Sequence, residues 1–304
     1  MNKIARKLVL SVLTVVLTVI ALGTTTFAWF TLTNTSVVQP FQATIVSDTG
    51  IEIALDNPLA VTPDQLNWVT TLTTVALNDY ITAAYGGNFK FNHVTTENAV
   101  TFNTLGVSSL VPATGGWLEI PLHFRSNTAE QIQWNAVTLT STAAPWPTDV
   151  TFTYVDNTVY NPAQPISIDA SNAMRIAIIG DLELQPGNVV AYEKPGTATN
   201  IVLGAGGNLA DGVGLGLGNA GAMNYYYRKN NVLPFGADSV VTLLTMTSLN
   251  NEPILDMGDG VAATAGAAYY GTIVIRMWLE GWDANSFNSV LNRTINAGFT
   301  FIGV

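Results

Sequence analysis

The chain has 304 residues, 48% hydrophobic and 11% charged, with no cysteine and a formal net charge of −10. Its 7 Trp, 10 Tyr and 12 Phe supply enough aromatic surface for a packed body, which excludes an acidic disordered chain. The lack of cysteine excludes disulfide frameworks, iron–sulfur clusters, thiolate zinc sites and cysteine nucleophiles.

Residues 1–28 read as an address. Lys3, Arg6 and Lys7 precede an uncharged apolar stretch over 8–22, then small and hydroxyl residues over 23–26, with a cleavage position after Ala28. The pattern predicts a signal peptide and an exported, extracellular or cell-surface protein. The alternative is a retained membrane anchor, since no charge follows until Asp48 and about 20 residues rising about 1.5 Å each span a bilayer core. Membrane contact is then confined to residues 1–28. Cleavage would remove three of the 11 basic residues and no acidic one, leaving 8 against 21. So acidic a body repels phosphate backbones and is not expected to bind nucleic acid.

The mature chain would begin Trp29-Phe30-Thr31-Leu32-Thr33-Asn34-Thr35, strand-like and free of charge and proline until Pro40. Native sheet edges carry charged or proline guards, and this segment has none. It can therefore add to a neighbour's sheet, with Trp29, Phe30 and Leu32 as the inserted side chains, or form the first strand of its own sandwich.

Downstream, alternation with β-branched and aromatic residues dominates. Residues 117–125 place Leu118, Ile120, Leu122 and Phe124 on one face, and Pro121 within them predicts an edge strand. Residues 272–280 place Ile273, Ile275, Met277 and Leu279 opposite Arg276 and Glu280. Further strands are predicted at 51–55, 89–94, 134–139, 150–155, 175–179, 240–247 and 298–302, the last closing a sheet. Helices are predicted only at 63–77 and 286–292. The fold class is thus all-β: an antiparallel, jelly-roll-like sandwich over 29–304, either one unit with a Gly-rich insertion at 186–231 or two sandwich units.

Chemistry-bearing motifs are few. Gly216, Gly218 and Gly221 satisfy G-x-G-x-x-G, but Tyr225, Tyr226 and Tyr227 follow where the dinucleotide fingerprint needs a helix, so no nucleotide cofactor is expected. The two histidines, His93 and His123, lie in no triad or zinc-protease pattern, and His123 reads as an ordinary surface residue. Carboxylate pairs occur at Asp181/Glu183, Asp256/Asp259 and Glu280/Asp283, without the separation in sequence that glycosidase pairs require. The turn at 256–260 offers oxygen ligands for Ca2+ but lacks the terminal Glu of a calcium loop. No enzyme activity is expected.

The junction Gly23-Thr24-Thr25-Thr26-Phe27-Ala28-Trp29-Phe30-Thr31 resembles the G-T-x-A-[YF]-F-[ST] junction of the TasA/camelysin family, with Trp29 in place of Tyr or Phe. Leu184-Gln185-Pro186-Gly187-Asn188 resembles that family's L-x-P-G-D segment, with Asn188 in place of Asp. The resemblance implies a jelly-roll subunit, released by a dedicated signal peptidase, that polymerises with itself into extracellular biofilm fibres. The alternative function is an adhesin or carbohydrate-binding module that presents Trp146, Trp282 and Tyr225–Tyr227.

Overall fold

The computed structural model describes residues 42–47, 50–87, 89–195, 220–237, 242–258, 262–291 and 293–304. The leader, the segment 29–39 and the Gly-rich residues 204–219 lie outside the described residues.

In chain order the strands begin with β1 (Gln42–Ser47), β2 (Ile51–Leu55), β3 (Thr71–Leu72), β4 (His93–Val94), β5 (Asn103–Thr104) and β6 (Val111–Pro112). They continue as β7 (Trp117–Ser126), β8 (Gln131–Ser141), β9 (Ala144–Pro147), β10 (Phe152–Thr153), β11 (Val159–Tyr160) and β12 (Pro165–Ile168). The last five are β13 (Met174–Leu182), β14 (Gln185–Glu193), β15 (Glu252–Asp256), β16 (Tyr269–Glu280) and β17 (Ile295–Gly303). The α-helices are α1 (Thr74–Tyr85) and α2 (Gly221–Asn230).

The fold is an all-β sandwich. One sheet runs β15-β8-β17-β1-β3 and the other β14-β13-β16-β7-β2, with β4 added alongside β16. Pairing is antiparallel except at β1–β17 and β4–β16. The predicted inner face of β7 is buried at Leu118, Ile120, Leu122 and Phe124, and β16 contributes Ile273, Ile275 and Met277. Across the core, Phe124 meets Phe301 of β17 edge to face at 5.2 Å between ring centroids. Each such ring contributes roughly 1.5–3 kcal/mol through burial.

Several expectations are corrected. Strand β7 lies between β16 and β2, not at an edge. Pro121 is tolerated there because its carbonyl, accepting from Asp56 N, faces the place where β2 has just ended, so its missing N–H deprives no ladder position. The predicted helix at 63–77 resolves into a short 3-10 turn, Pro63–Gln65, and a helix that starts later, at Thr74. Between them Val69 exchanges two main-chain hydrogen bonds with Ile53, which holds the chain extended until Thr73 caps α1 by accepting from Ala76 N. The predicted helix at 286–292 is a single 3-10 turn, Asn288–Val290. In 89–94 only β4 is a strand, and in 240–247 the described residues contribute one bridge, Met246 to Tyr192. Residues 186–193, assigned to the insertion, are hydrogen-bonded to β13 as β14.

The two sheets lie close together at Gly180 of β13, where a Cβ would lie 2.0 Å from the carbonyl oxygen of Ile254 in β15. A main-chain atom cannot turn aside as a flexible side chain does. Gly180→Ala is therefore expected to lower stability by about 1–3 kcal/mol, read as a shift of the urea midpoint.

Candidate functional site

The sequence points to the N-terminal strand. Trp29, Phe30 and Leu32 lie outside the described residues. The described chain starts directly beyond, at β1, which lies beside β17 in parallel register over its whole length, from Gln42 opposite Asn296 to Ser47 opposite Phe301. Its other edge meets the two residues of β3 at Ile45 and Val46, and Ser47 N donates to the Thr70 carbonyl at 3.0 Å. Among the described residues, no strand covers that edge at 42–44. Ile45 faces the core and is buried, Val46 is exposed, and the sequence Gln-Ala-Thr-Ile-Val-Ser carries no charge.

The aromatics of the adhesin reading are in or against the core. Trp282, Tyr225 and Tyr226 are buried, Trp146 is half-buried, and only Tyr227 is exposed. Tyr225 packs edge to face on Trp146 and Phe152, with Phe287 tilted 5.6 Å away. Its hydroxyl donates to Asp149 at 2.9 Å.

These tyrosines belong to α2, so the expectation that no helix follows the glycines is wrong. Apolar burial of the Tyr225 and Tyr226 ring bodies outweighs their modest helix propensity. Gly216 and Gly218 lie outside the described residues, while Gly221 opens α2 at φ 62°. A Cβ there would lie 2.8 Å from the Ala284 carbonyl. That same carbonyl accepts from Ala222 N at 2.8 Å, so a protein oxygen occupies the first turn where a phosphate would sit.

The carboxylate pairs separate into two kinds. Near the β13–β14 hairpin, Asp181 accepts from Gly187 N, while Asp256 accepts from Gln131 Nε2 and Glu183 N. Each Asp256 oxygen thus accepts one hydrogen bond from the protein. Asp259 and Gly260 lie outside the described residues. Among the described residues, no group of three or more His, Cys, Asp or Glu is placed to hold a metal ion.

Glu280 and Asp283 are the other kind, because both are buried. The pattern had set Glu280 on the solvent side of β16, but the residue is buried, with Thr242 hydrogen-bonded to its carboxylate and β4 paired alongside it. Arg175 of β13, 1% exposed, directs Nη2 to Asp283 at 2.7 Å and to Glu193 of β14 at 2.8 Å. Its Nη1 donates to the carbonyls of Met174 and Asn172. Burial opposes the Arg175 charge, yet the two carboxylates hold its pKa above the ordinary value. Among the described residues Glu280 forms no ion pair; it accepts from Trp278 Nε1, Thr242 Oγ1 and Trp282 N. Burial pushes its pKa up, as it does for Asp283 and Glu193. Sequence spacing signals Glu280 and Asp283 together but not Arg175, the partner of Asp283, which reads as one more polar residue in a strand.

His93 Nδ1 lies 2.6 Å from Ser286 Oγ, with both residues buried, and burial pushes the imidazole down to about 4, so it is neutral at physiological pH. This pair joins β4 to the 281–290 segment and is sealed from solvent. His123 is half-buried and tied in, not an ordinary surface residue: Nε2 donates to Asp56 at 3.2 Å, and Nδ1 accepts from Tyr270 Oη at 2.6 Å.

Among the described residues, no helix is long and apolar enough to cross a membrane. No family model, no curated protein and no solved structure matches this chain.

Proposed function

We propose that the chain is an exported structural subunit that assembles with copies of itself into extracellular fibres or a surface layer by adding its N-terminal strand to a neighbour's sheet. The observation that carries this reading is the β1 edge: uncharged, separated from the uncharged segment 29–39 by Pro40 and Phe41 alone, and, among the described residues, covered by no strand at 42–44. An edge without Lys or Pro is a template for another strand, and main-chain hydrogen bonds then supply the affinity. The resemblance of the leader junction to the TasA/camelysin family supports the same reading, with Trp29, Phe30 and Leu32 as the inserted side chains.

Deleting residues 29–39 from the processed protein tests it. Electron microscopy of the secreted material is expected to show fibres for the intact protein and dispersed particles for the deletion, with the thermal midpoint of the body unchanged. Fibres from the deletion at the frequency of the intact protein would dispose of strand addition.

A further inference from the structure

Between the chain leaving β2 and helix α1 lies an open cleft of about 480 Å³. Its apolar wall comes from Leu72, which is buried, and from Leu55 and Tyr80, which are half-buried. Asp56, Asn67 and Asp79 line it from exposed positions, and no Lys or Arg does. The volume falls within the roughly 300–1,000 Å³ of small-molecule sites, which combine apolar walls with a few convergent polar groups.

The polar groups here are poorly compensated. Asp56 engages His123 through Oδ1. The side chains of Asp79 and Asn67 have no hydrogen bond or ion pair among the described residues, while α1 holds Asp79 and Tyr80 in fixed positions. Burial, then Tyr85, Asp56 and Glu119, push the Tyr80 phenol up to about 12, so it stays neutral and adds no further negative charge. Two exposed carboxylates beside an apolar wall, with no Lys or Arg among the lining residues, make a site of negative potential. An anion is repelled there, and a purely apolar molecule leaves both charges unanswered. A molecule with an apolar body and a positive head satisfies both parts.

We propose that this cleft binds a small organic ammonium compound, its apolar body against Leu55, Leu72 and Tyr80 and its cationic head held by Asp79 and Asp56. The site uses no residue of the segment 29–39, and it meets the β1 edge only through Leu72, whose main chain pairs with Ile45.

Calorimetric titration of the full chain with tryptamine, an indole carrying a primary ammonium, tests the assignment against indole-3-propionate, which carries the opposite charge on the same ring. Tryptamine is expected to bind saturably at one site and indole-3-propionate at least tenfold more weakly. Asp79→Asn is expected to weaken tryptamine binding about three- to fivefold, the range of one exposed charge contact. Ala83→Trp, which fills the cleft from an exposed position on α1, is expected to abolish it. Unchanged circular dichroism and thermal midpoint will show that both variants are folded. The proposal is overturned by lack of saturable tryptamine binding, by equal affinity for the two probes, or by binding that survives Ala83→Trp.

Discussion

Replacing Arg175 by leucine is expected to destabilise the protein by about 3–5 kcal/mol, the cost of leaving buried charges without their counter-ion. The side chain is buried and bridges β13 to β14, through Glu193, and to the segment after β16, through Asp283. Deleting the cation strands both carboxylates in a region that already holds Glu280. The deficit should depend on pH in a defined direction. Burial raises the folded pKa of Glu280, Asp283 and Glu193 above the unfolded value. A carboxyl of this kind contributes its stability fully below the ordinary carboxylate range, near about 4, and loses it as the pH rises through the folded value. Without Arg175 the folded values rise further. The variant should therefore be least stable relative to the parent at neutral pH and recover as the pH falls toward 4. Urea titrations of both proteins across that range measure it, and a deficit that is flat with pH would contradict the buried-carboxylate account.

The second large effect is expected at Phe287. Its ring, fully buried, lies 5.1 Å from Phe152, 5.6 Å from Tyr225, 6.0 Å from Trp146 and 6.1 Å from Tyr154. It is thus the common neighbour through which β9, β10 and α2 meet the 281–290 segment. Truncation to alanine removes the transfer energy of the ring and leaves a cavity between elements that touch through it, a loss of about 3–5 kcal/mol. Because α2 has no side-chain cap at its N-terminus and depends on its buried tyrosines, hydrogen exchange of the amides of 223–230 should accelerate more than that of β13. Uniform acceleration of both would show that α2 does not depend on this contact.

What was legible in the sequence follows from which physical terms act locally. The two long strands β7 and β16 announce themselves because alternation is a property of a single strand: the inner residues of β7 fall on the predicted face one by one. The last strand, β17, is legible for the same reason. Failures came where a neighbour decides the outcome. Glu280 follows the polar phase of β16 yet is buried, with Thr242 and β4, both remote in sequence, beside it. Tyr225 sits in a helix with its ring received by Phe152, Phe287 and Trp146, a fact no local window contains. The helix placed at 63–77 moved because Val69 found Ile53. Of the candidate site, the sequence showed the unguarded segment 29–39. The short cover of β1 by β3 and the cleft beside α1 depend on tertiary placement, and only the structure displays them.

The two parts of the functional account rest on separate surfaces, and the assembly claim is the central one. The most direct measurement is a cryo-electron-microscopy reconstruction of material assembled from the processed protein. The account predicts continuous density for residues 29–39 running from one subunit into the sheet of the next, with Trp29, Phe30 and Leu32 turned into that neighbour's core. Density that returns the same residues to the sheet of their own subunit would contradict it.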